Sequence, residues 1–363
     1  MTTAAVTGAA GWRIRAAADG DAAAVARLFE ETFGKTTSEE WYRWKVLESP
    51  WPIGAPMGWL AVVGDRVVGH YGGTALRFRL GEEEVPVVHT CDAMTAPDYR
   101  RQGILSALGE AANEAWTSAG AAFVMGLPTA KWGTRSAHIG YRTAFQLGWL
   151  WRPLRAEALV PGRAGLAAHA LRIGGGLAVG PWQAAWRARL NRGGRGVTVE
   201  EVERPGPEFD RLWERLRNAY DASIVRDRSW LVYRYASAPA SPYQLLLARR
   251  DGDPVGYLVY REVSSGSRHS GWITDLFSAP YDPATAAALL GGALDRLRAA
   301  GCHDMRAFAA PGTPVLRALR RAGFIRRSGA YDVSVIPLAG PVRRELLNDP
   351  TRWLFAAGDS DVV

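Results

Sequence analysis

Apolar positions along the chain change their period in a fixed order. In Trp12-Arg13-Ile14-Arg15 they alternate, as in a half-buried strand. The following "ADGDAAAVARLFEETF" puts Val25, Leu28, Phe29, Thr32 and Phe33 on one helical face, with Asp19 or Asp21 placed to cap its start. Two strand-like runs then flank a Gly64-Asp65 turn in "WLAVVGDRVVGHYGGTALRFRL". "VVHTCDAMTAP" reads as a further strand, Gly103 to Ser118 as a helix and "AAFVMGLP" as a buried strand, before the block closes at Gly140-Tyr141.

The same order returns. "VTVEEV" from Val197 leads to Phe209, Leu212, Trp213 and Leu216 at helical spacing, and "YQLLLARRDGDPVGYLVYREV" sets two strand-like runs around Asp251-Gly252. "SGWITDLFSAP" precedes a helix through Leu289, Leu290, Leu294 and Leu297, then "MRAFAAP" and Gly323-Phe324. An echo stands ahead of each hairpin: Trp41, Trp44, Lys45 and Pro50 of "WYRWKVLESP" match Trp230, Tyr233, Arg234 and Pro239 of "WLVYRYASAP" at one offset. From Pro97 to Gly140, and from Pro280 to Gly323, the separation is the same 43 positions. Independent landmarks in register predict a duplicated α/β unit. The predicted domains are 1–155 and 197–340, with a linker at 156–196 and a tail at 341–363.

The linker is rich in Gly, Ala and Arg, and Trp182, Trp186 and Leu190 share one helical face. This predicts a helix packed between the domains; a lid over an acceptor site and a weak membrane-surface contact are the other readings.

Length agrees with duplication, because 363 residues exceed what a single core usually holds. No apolar run reaches the roughly 18 residues of a membrane helix, and the amino terminus lacks a signal-peptide pattern, so the expected location is the cytoplasm. Cys91 and Cys302, one in each half, make neither a disulfide framework nor a zinc ligand set, and no metal site is predicted. The formal charge of +8 invites an anionic partner. Nearly all the cations are Arg, with Lys only at 35, 45 and 131, a compositional bias that assigns no function by itself.

The halves differ most at one loop. In the first, "DYRRQGILSAL" carries Arg100, Arg101, Gln102 and Gly103 between a strand and a helix that opens with Ile104 and Leu105. Such a junction offers unpaired backbone N–H groups and the positive end of a helix dipole, and glycine lets a ligand approach the main chain. It suits a pyrophosphate. In the second half "YDPATAAAL" has Pro283, Ala284, Thr285 and Ala286 there, so charge and glycine are gone, and Pro283 removes an amide. The fold is therefore written twice and the cofactor loop once.

The order strand, Pro, basic-Gly loop, helix, strand, Gly-aromatic resembles the GCN5-related N-acetyltransferase (GNAT) superfamily, whose acyl-CoA motif is Arg/Gln-x-x-Gly-x-Gly/Ala. Arg100 and Gly103 match it, and Leu105 stands where the motif has a small residue. "GLPTAKWGTRSAHIGY", Gly126 to Tyr141, resembles the family's second motif, with Thr129 where Asn is frequent. The resemblance covers essentially the whole chain, as two tandem GNAT-like domains of α/β (mixed-sheet) class, each a splayed sheet flanked by helices. It implies acetyl-CoA or another acyl-CoA as co-substrate, held by Arg100, Arg101, Gln102, Gly103, Ile104 and Leu105. It further implies that backbone at Ala93, Met94 and Thr95 pairs with the pantetheine arm, one amide polarising the thioester carbonyl.

Acyl transfer to an amine needs a base. Strict alternation along this strand puts His89, Cys91, Ala93 and Thr95 on one face and Thr90, Asp92 and Met94 on the other. His89 lies where several family members place a carboxylate base, and histidine titrates near neutrality; Asp92 and His70 are the further candidates, and a hydrogen-bonded strand residue is the plain alternative for His89. Cys91 reads as a small buried hydrophobe. Where family members use a Tyr as proton donor, the helix of the second motif offers Ser136 and His138. Asp359 and Asp361 in the tail either hold an acceptor or belong to a disordered end. Trp132, Trp149 and Trp151 read as walls of an acyl tunnel or as core.

By analogy with long tandem members, the acceptor class is a primary amine on an amino sugar of a natural product or polysaccharide. Two other readings remain open at this level: an aminoacyl-tRNA-dependent aminoacyltransferase of Fem-like type, with tRNA as its nucleic-acid partner, and a non-catalytic acyl-CoA-binding module.

Overall fold

The computed structural model describes residues 11–128, 137–159, 166–239, 243–338 and 344–360. It divides into two compact units, Met1–Ala144 with Asp332–Asn348, and Phe145–Tyr331 with Asp349–Val363.

In the first unit β1 (Arg13–Ala16) precedes helix α1 (Ala22–Phe33), the short helix α2 (Glu39–Tyr42) and a π-helical turn at Arg43–Leu47. The strands β2 (Gly58–Val63), β3 (Arg66–Leu80) and β4 (Glu83–Thr95) run antiparallel in sequence order, with β1 on β2. Helix α3 (Ile104–Ser118) brings the chain back so that β5 (Phe123–Gly126) lies parallel to β4. Ile104, Leu108, Ala112 and Trp116 recur every four residues on α3, and this apolar stripe enters one buried cluster with Leu60, Val68 and Val88 of the sheet.

The second unit repeats the plan. It holds most of β6 (Arg142–Pro153), the long helix α4 (Leu166–Gly193), β7 (Thr198–Val202), α5 (Glu208–Leu216), β8 (Ala222–Ile224) and α6 (Arg228–Leu231). There follow β9 (Tyr243–Arg250), β10 (Asp253–Ser265), β11 (Arg268–Ser278), α7 (Pro283–Ala299), β12 (Asp304–Ala309), α8 (Pro314–Arg321), part of β13 (Ile325–Pro337) and β14 (Trp353–Leu354). Its strands lie in the order β7-β9-β10-β11-β12-β6. The long linker of the sequence is thus largely the helix α4, which Gln183 ties down within the unit by accepting from Arg152 at 2.6 Å.

The Trp/Pro echo is one motif built twice. Ser38 accepts from the Trp41 amide and Asp227 from the Trp230 amide; each cap starts a one-turn helix that passes into a π-helical turn, Arg43–Leu47 or Val232–Ala236. The matched cations Lys45 and Arg234 are both buried by that turn.

The compact units depart from the sequence repeat at its last strand. β5 takes as its antiparallel neighbour the end of β13, with Ser334 opposite Gly126 and Pro337 opposite Phe123. β6 instead runs antiparallel to β12, from Asp304 opposite Pro153 to Ala309 opposite Gly148. Each half of the chain gives its closing strand to the other's sheet, an exchange of like elements within one polypeptide.

Residues 349–360 of the acidic tail are built into the second unit. β14 pairs with β8, and Asp359 is buried with both carboxylate oxygens on Arg226 Nη2, at 2.6 and 2.7 Å. Arg226, itself without exposure, also meets Asp275 at 3.2 Å, and Arg234 donates to the carbonyls of Gly358 and Ser360. Asp359 therefore serves the fold, with burial and the nearby Asp275 pushing its carboxyl up to about 6 against the pull of Arg226; Asp361 lies outside the described residues. Among the described residues, no helix is long and apolar enough to cross a membrane.

Candidate active site

β4 has neighbours on both sides only as far as His89. Val88 opposite Val124 and His89 opposite Met125 are its pairs with β5, which ends at Gly126, whereas β3 continues alongside to Thr95. Among the described residues, no strand pairs with that flank of β4 from Thr90 onward, the parting expected of a splayed sheet.

The predicted alternation breaks in this segment. Asp92 has φ +49°, and the ladder passes from Gly72 opposite Cys91 to His70 opposite Met94, so that Asp92 and Ala93 together face Tyr71. This is a β-bulge, which reverses the facing of every residue after it. Cys91 and Met94, expected on opposite faces, both enter the core of the first unit. Period-two reasoning carries no signal for an inserted residue.

The bulge is held from two directions. Lys45 Nζ from the π-helical turn lies 2.6 Å from Asp92 Oδ2, with both side chains largely buried. His70 Nδ1 lies 2.7 Å from the Asp92 carbonyl oxygen. A carbonyl can only accept, so the ring proton of neutral His70 sits on Nδ1 and Nε2 presents a lone pair. Burial depresses the pKa of His70, which keeps it neutral, and Nε2 has no partner among the described residues. Tyr42 stands edge-on to the ring, centroids 5.4 Å apart, its hydroxyl also without a partner there. A lysine in a Trp-rich echo gives little warning of this arrangement, because exposed lysine is the ordinary case.

At the apex of the parting three hydroxyls join. Thr90 Oγ1 lies 2.6 Å from Tyr141 Oη, which lies 3.0 Å from Tyr71 Oη. Gly126 makes room, since a Cβ there would stand 2.6 Å from Thr90 Oγ1. Burial pushes Tyr141 up to about 12, so the phenol keeps its proton at neutral pH. In the sequence Tyr141 stands out only as the aromatic of the Gly-aromatic landmark and the end of the second-motif segment. Of the expected donors, Ser136 lies outside the described residues and His138 is exposed on a single turn, Ala137–Ile139.

Beyond β4, a turn at Pro97–Tyr99 delivers Arg100, Arg101, Gln102 and Gly103, all exposed. Arg101 has φ +64° and Gly103 φ +78°, and Gly103 is the N-cap of α3. Among the described residues nothing lies within 4 Å of where a Gly103 Cβ would stand, so none of them blocks a ligand's approach to the main chain there. The first-turn amides of α3 have no acceptors in their own helix, and the left-handed turn adds to their concave positive face. Ile104 turns inward, against Gly69, and Leu105 is half-buried.

The matching loop in the second unit serves itself. Asp282 caps α7, accepting from the Thr285 amide at 3.1 Å and the Thr285 hydroxyl at 2.7 Å, while Arg250 Nη2 lies 2.9 Å from both its oxygens. Pro283 occupies the first helical position. An internal carboxylate thus stands where a phosphate would bind.

The remaining sequence candidates separate. His89 is buried within the doubly paired part of β4. Thr129 and Trp132 lie outside the described residues. Trp149 packs in the second unit against Trp272 and Phe308, with centroids 5.1 and 5.4 Å away, and Trp151 lies under Arg327. These two form part of that unit's aromatic packing.

Comparison with known proteins agrees with this geometry. The family description "Acetyltransferase (GNAT) domain" matches residues 13–142. A search of curated protein sequences gives no match. Similar solved structures include a GCN5-related N-acetyltransferase from Anabaena variabilis, with TM-score 0.63 and 12% identity over 90% of this chain and 73% of that one. Another from Kribbella flavida gives TM-score 0.58 and 17% identity over 89% and 70%. N-myristoyltransferase of Saccharomyces cerevisiae with bound myristoyl-CoA gives 0.62 and 10% over 94% and 86%. At these identities the structures speak for the fold across nearly the whole chain, and the family match speaks for the first unit. Residues 13–142 thus match the GNAT acetyltransferase domain family, and the chain as a whole has the fold seen in GCN5-related N-acetyltransferases and N-myristoyltransferase.

Proposed function

We propose that this protein transfers an acyl group, acetyl or longer, from an acyl-CoA to a primary amine at the first unit. The observation that carries the reading is the contrast between two matched loops. Asp98–Leu105 is basic and open at a helix start, whereas Asp282–Thr285 fills its own. In this reading Arg100 and Arg101 face the phosphates, and the amides from Gln102 to Leu105, with the positive end of α3, hold the diphosphate. The backbone of Ala93, Met94 and Thr95, past the last pair of β4 with β5, pairs with the pantetheine arm; one of its amides donates to the thioester oxygen as charge develops there.

Asp92 stands just past the point where β5 leaves, so we assign it the proton of the attacking amine, with His89 as the second candidate. Lys45 and the His70 bond to the Asp92 carbonyl position the carboxylate. As the C–N bond forms and the C–S bond breaks, the amine gives its proton to Asp92 and the thiolate takes one from the Tyr141 hydroxyl. The acceptor we favour is an amino sugar, by analogy with long tandem members. The test is incubation of the protein with acetyl-CoA and longer acyl-CoAs against panels of amino sugars and peptides, read by mass spectrometry. A mass gain of one acyl group is expected, and no gain with any pair would overturn the reading.

A further inference from the structure

The second unit contains a cavity of about 570 Å³, within the range of small-molecule sites. It opens between the start of α7, the helix α8 and the end of α4. Its inner wall is apolar, from Leu190, Leu276, Ala287 and Val315. Three arginines stand among its lining residues, Arg189 on α4 and Arg317 and Arg321 one turn apart on α8, all solvent-exposed. Tyr281 also lines it and is 91% exposed, a large aromatic left in water beside an apolar hollow.

The arrangement selects a chemistry. An apolar wall with a cationic rim suits a molecule having an apolar body and one anionic end. It disfavours a coenzyme diphosphate at the helix start, because the Asp282 carboxylate already caps α7 there and Pro283 offers no N–H. The anion is therefore left to Arg317 and Arg321. Arg317 Nη1 donates to the Gly312 carbonyl at 2.7 Å, which fixes the guanidinium and leaves its other donors for a carboxylate or phosphate.

We infer that this cavity is a second ligand site, which binds a small amphipathic anion, a carboxylate or phosphate monoester on a short apolar body, with Arg317 and Arg321 on the anion. The site does not depend on the transferase reading. It gives the second unit a binding role of its own after loss of the cofactor loop.

The test is calorimetric titration of the full chain with octanoate and octyl phosphate below their micellar concentrations, beside octylamine and octanol. Saturable one-to-one binding of one or both anions is expected, with octylamine inert and octanol weaker. R317E/R321E should weaken anion binding at least tenfold, and A287W, which fills the cavity, should abolish it. Both variants should keep the wild-type circular dichroism and the wild-type response to acetyl-CoA. No binding of either anion, or binding that both variants leave unchanged, would overturn the inference. If only one anion binds, that result identifies the head group.

Discussion

Lys45 Nζ and Asp92 Oδ2 lie 2.6 Å apart in the first unit, joining a π-helical turn to the bulge of β4, just past its last pair with β5. In the second unit Arg234 matches Lys45 in the echo, and Asp275 matches Asp92 by its distance from the following proline. There the pair is rewired. Asp275 takes Arg226 and the hydroxyls of Tyr235 and Tyr257, and Arg234 turns to the carbonyls of the tail. The duplicated frame has kept a buried cation and a buried carboxylate in both copies and given them different partners.

Removing one member of the Lys45–Asp92 pair strands the other charge in a largely dry site, which costs about 3 kcal/mol or more. K45M and D92N should each lower stability of the first unit by that order in urea denaturation. The double variant should lose clearly less than the sum. Additive losses would show that the two charges do not interact.

Burial holds the pKa of His70 below its ordinary value of 6.5. The unfolded chain then binds the proton more readily, so this residue's contribution is full above about pH 6.5 and is lost as pH falls through the lower folded value. Wild type should lose stability between pH 7.5 and 5.5 relative to H70Q, measured as the difference in denaturation midpoints. A difference independent of pH would contradict a buried neutral imidazole.

The tail predicts a structural cost from a few residues. Truncation after Ala357 removes the Asp359 carboxylate from Arg226 and two carbonyl acceptors from Arg234, which should cost about 3–5 kcal/mol in the second unit. Thermal unfolding and limited proteolysis check this. An unchanged midpoint would mean that the tail is not docked in solution.

If Tyr141 gives the proton to the leaving thiolate, Y141F should lower kcat by about 10²-fold with little change in KM for acyl-CoA. Replacing Thr90 by Val removes the bond that positions the phenol and should cost less. A full-rate Y141F enzyme would transfer the role to water.

Much of this architecture could be read from the chain because it is written twice. The landmarks at Pro97 and Pro280, and the Trp/Pro echo, fix matched helices and hairpins by spacing alone. The basic loop before Ile104 was legible for a chemical reason, since glycine and arginine at a strand-helix junction are unusual unless something anionic meets them. The bulge at Asp92 was not, because a single inserted residue leaves the composition of a strand unchanged. The exchange of β6 and β13 was equally silent. Ladder hydrogen bonds are made by backbone, so either strand can close either sheet, and local sequence does not choose. Lys45 and Tyr141 were visible as landmarks, and their roles in the site come only from the three-dimensional register.

As proposed, the first unit alone holds an acyl-CoA, through the Arg100–Leu105 loop. The most direct measurement is the thermal shift of wild type and of R100E/G103D with CoA and acetyl-CoA. At about 100 times the dissociation constant, ligand should stabilise wild type by about 2.7 kcal/mol. The proposed site predicts this shift for wild type and its loss in the variant, with the unliganded midpoints compared first to separate binding from damage to the loop. Equal shifts in both proteins, or none in wild type at saturating ligand, would contradict it.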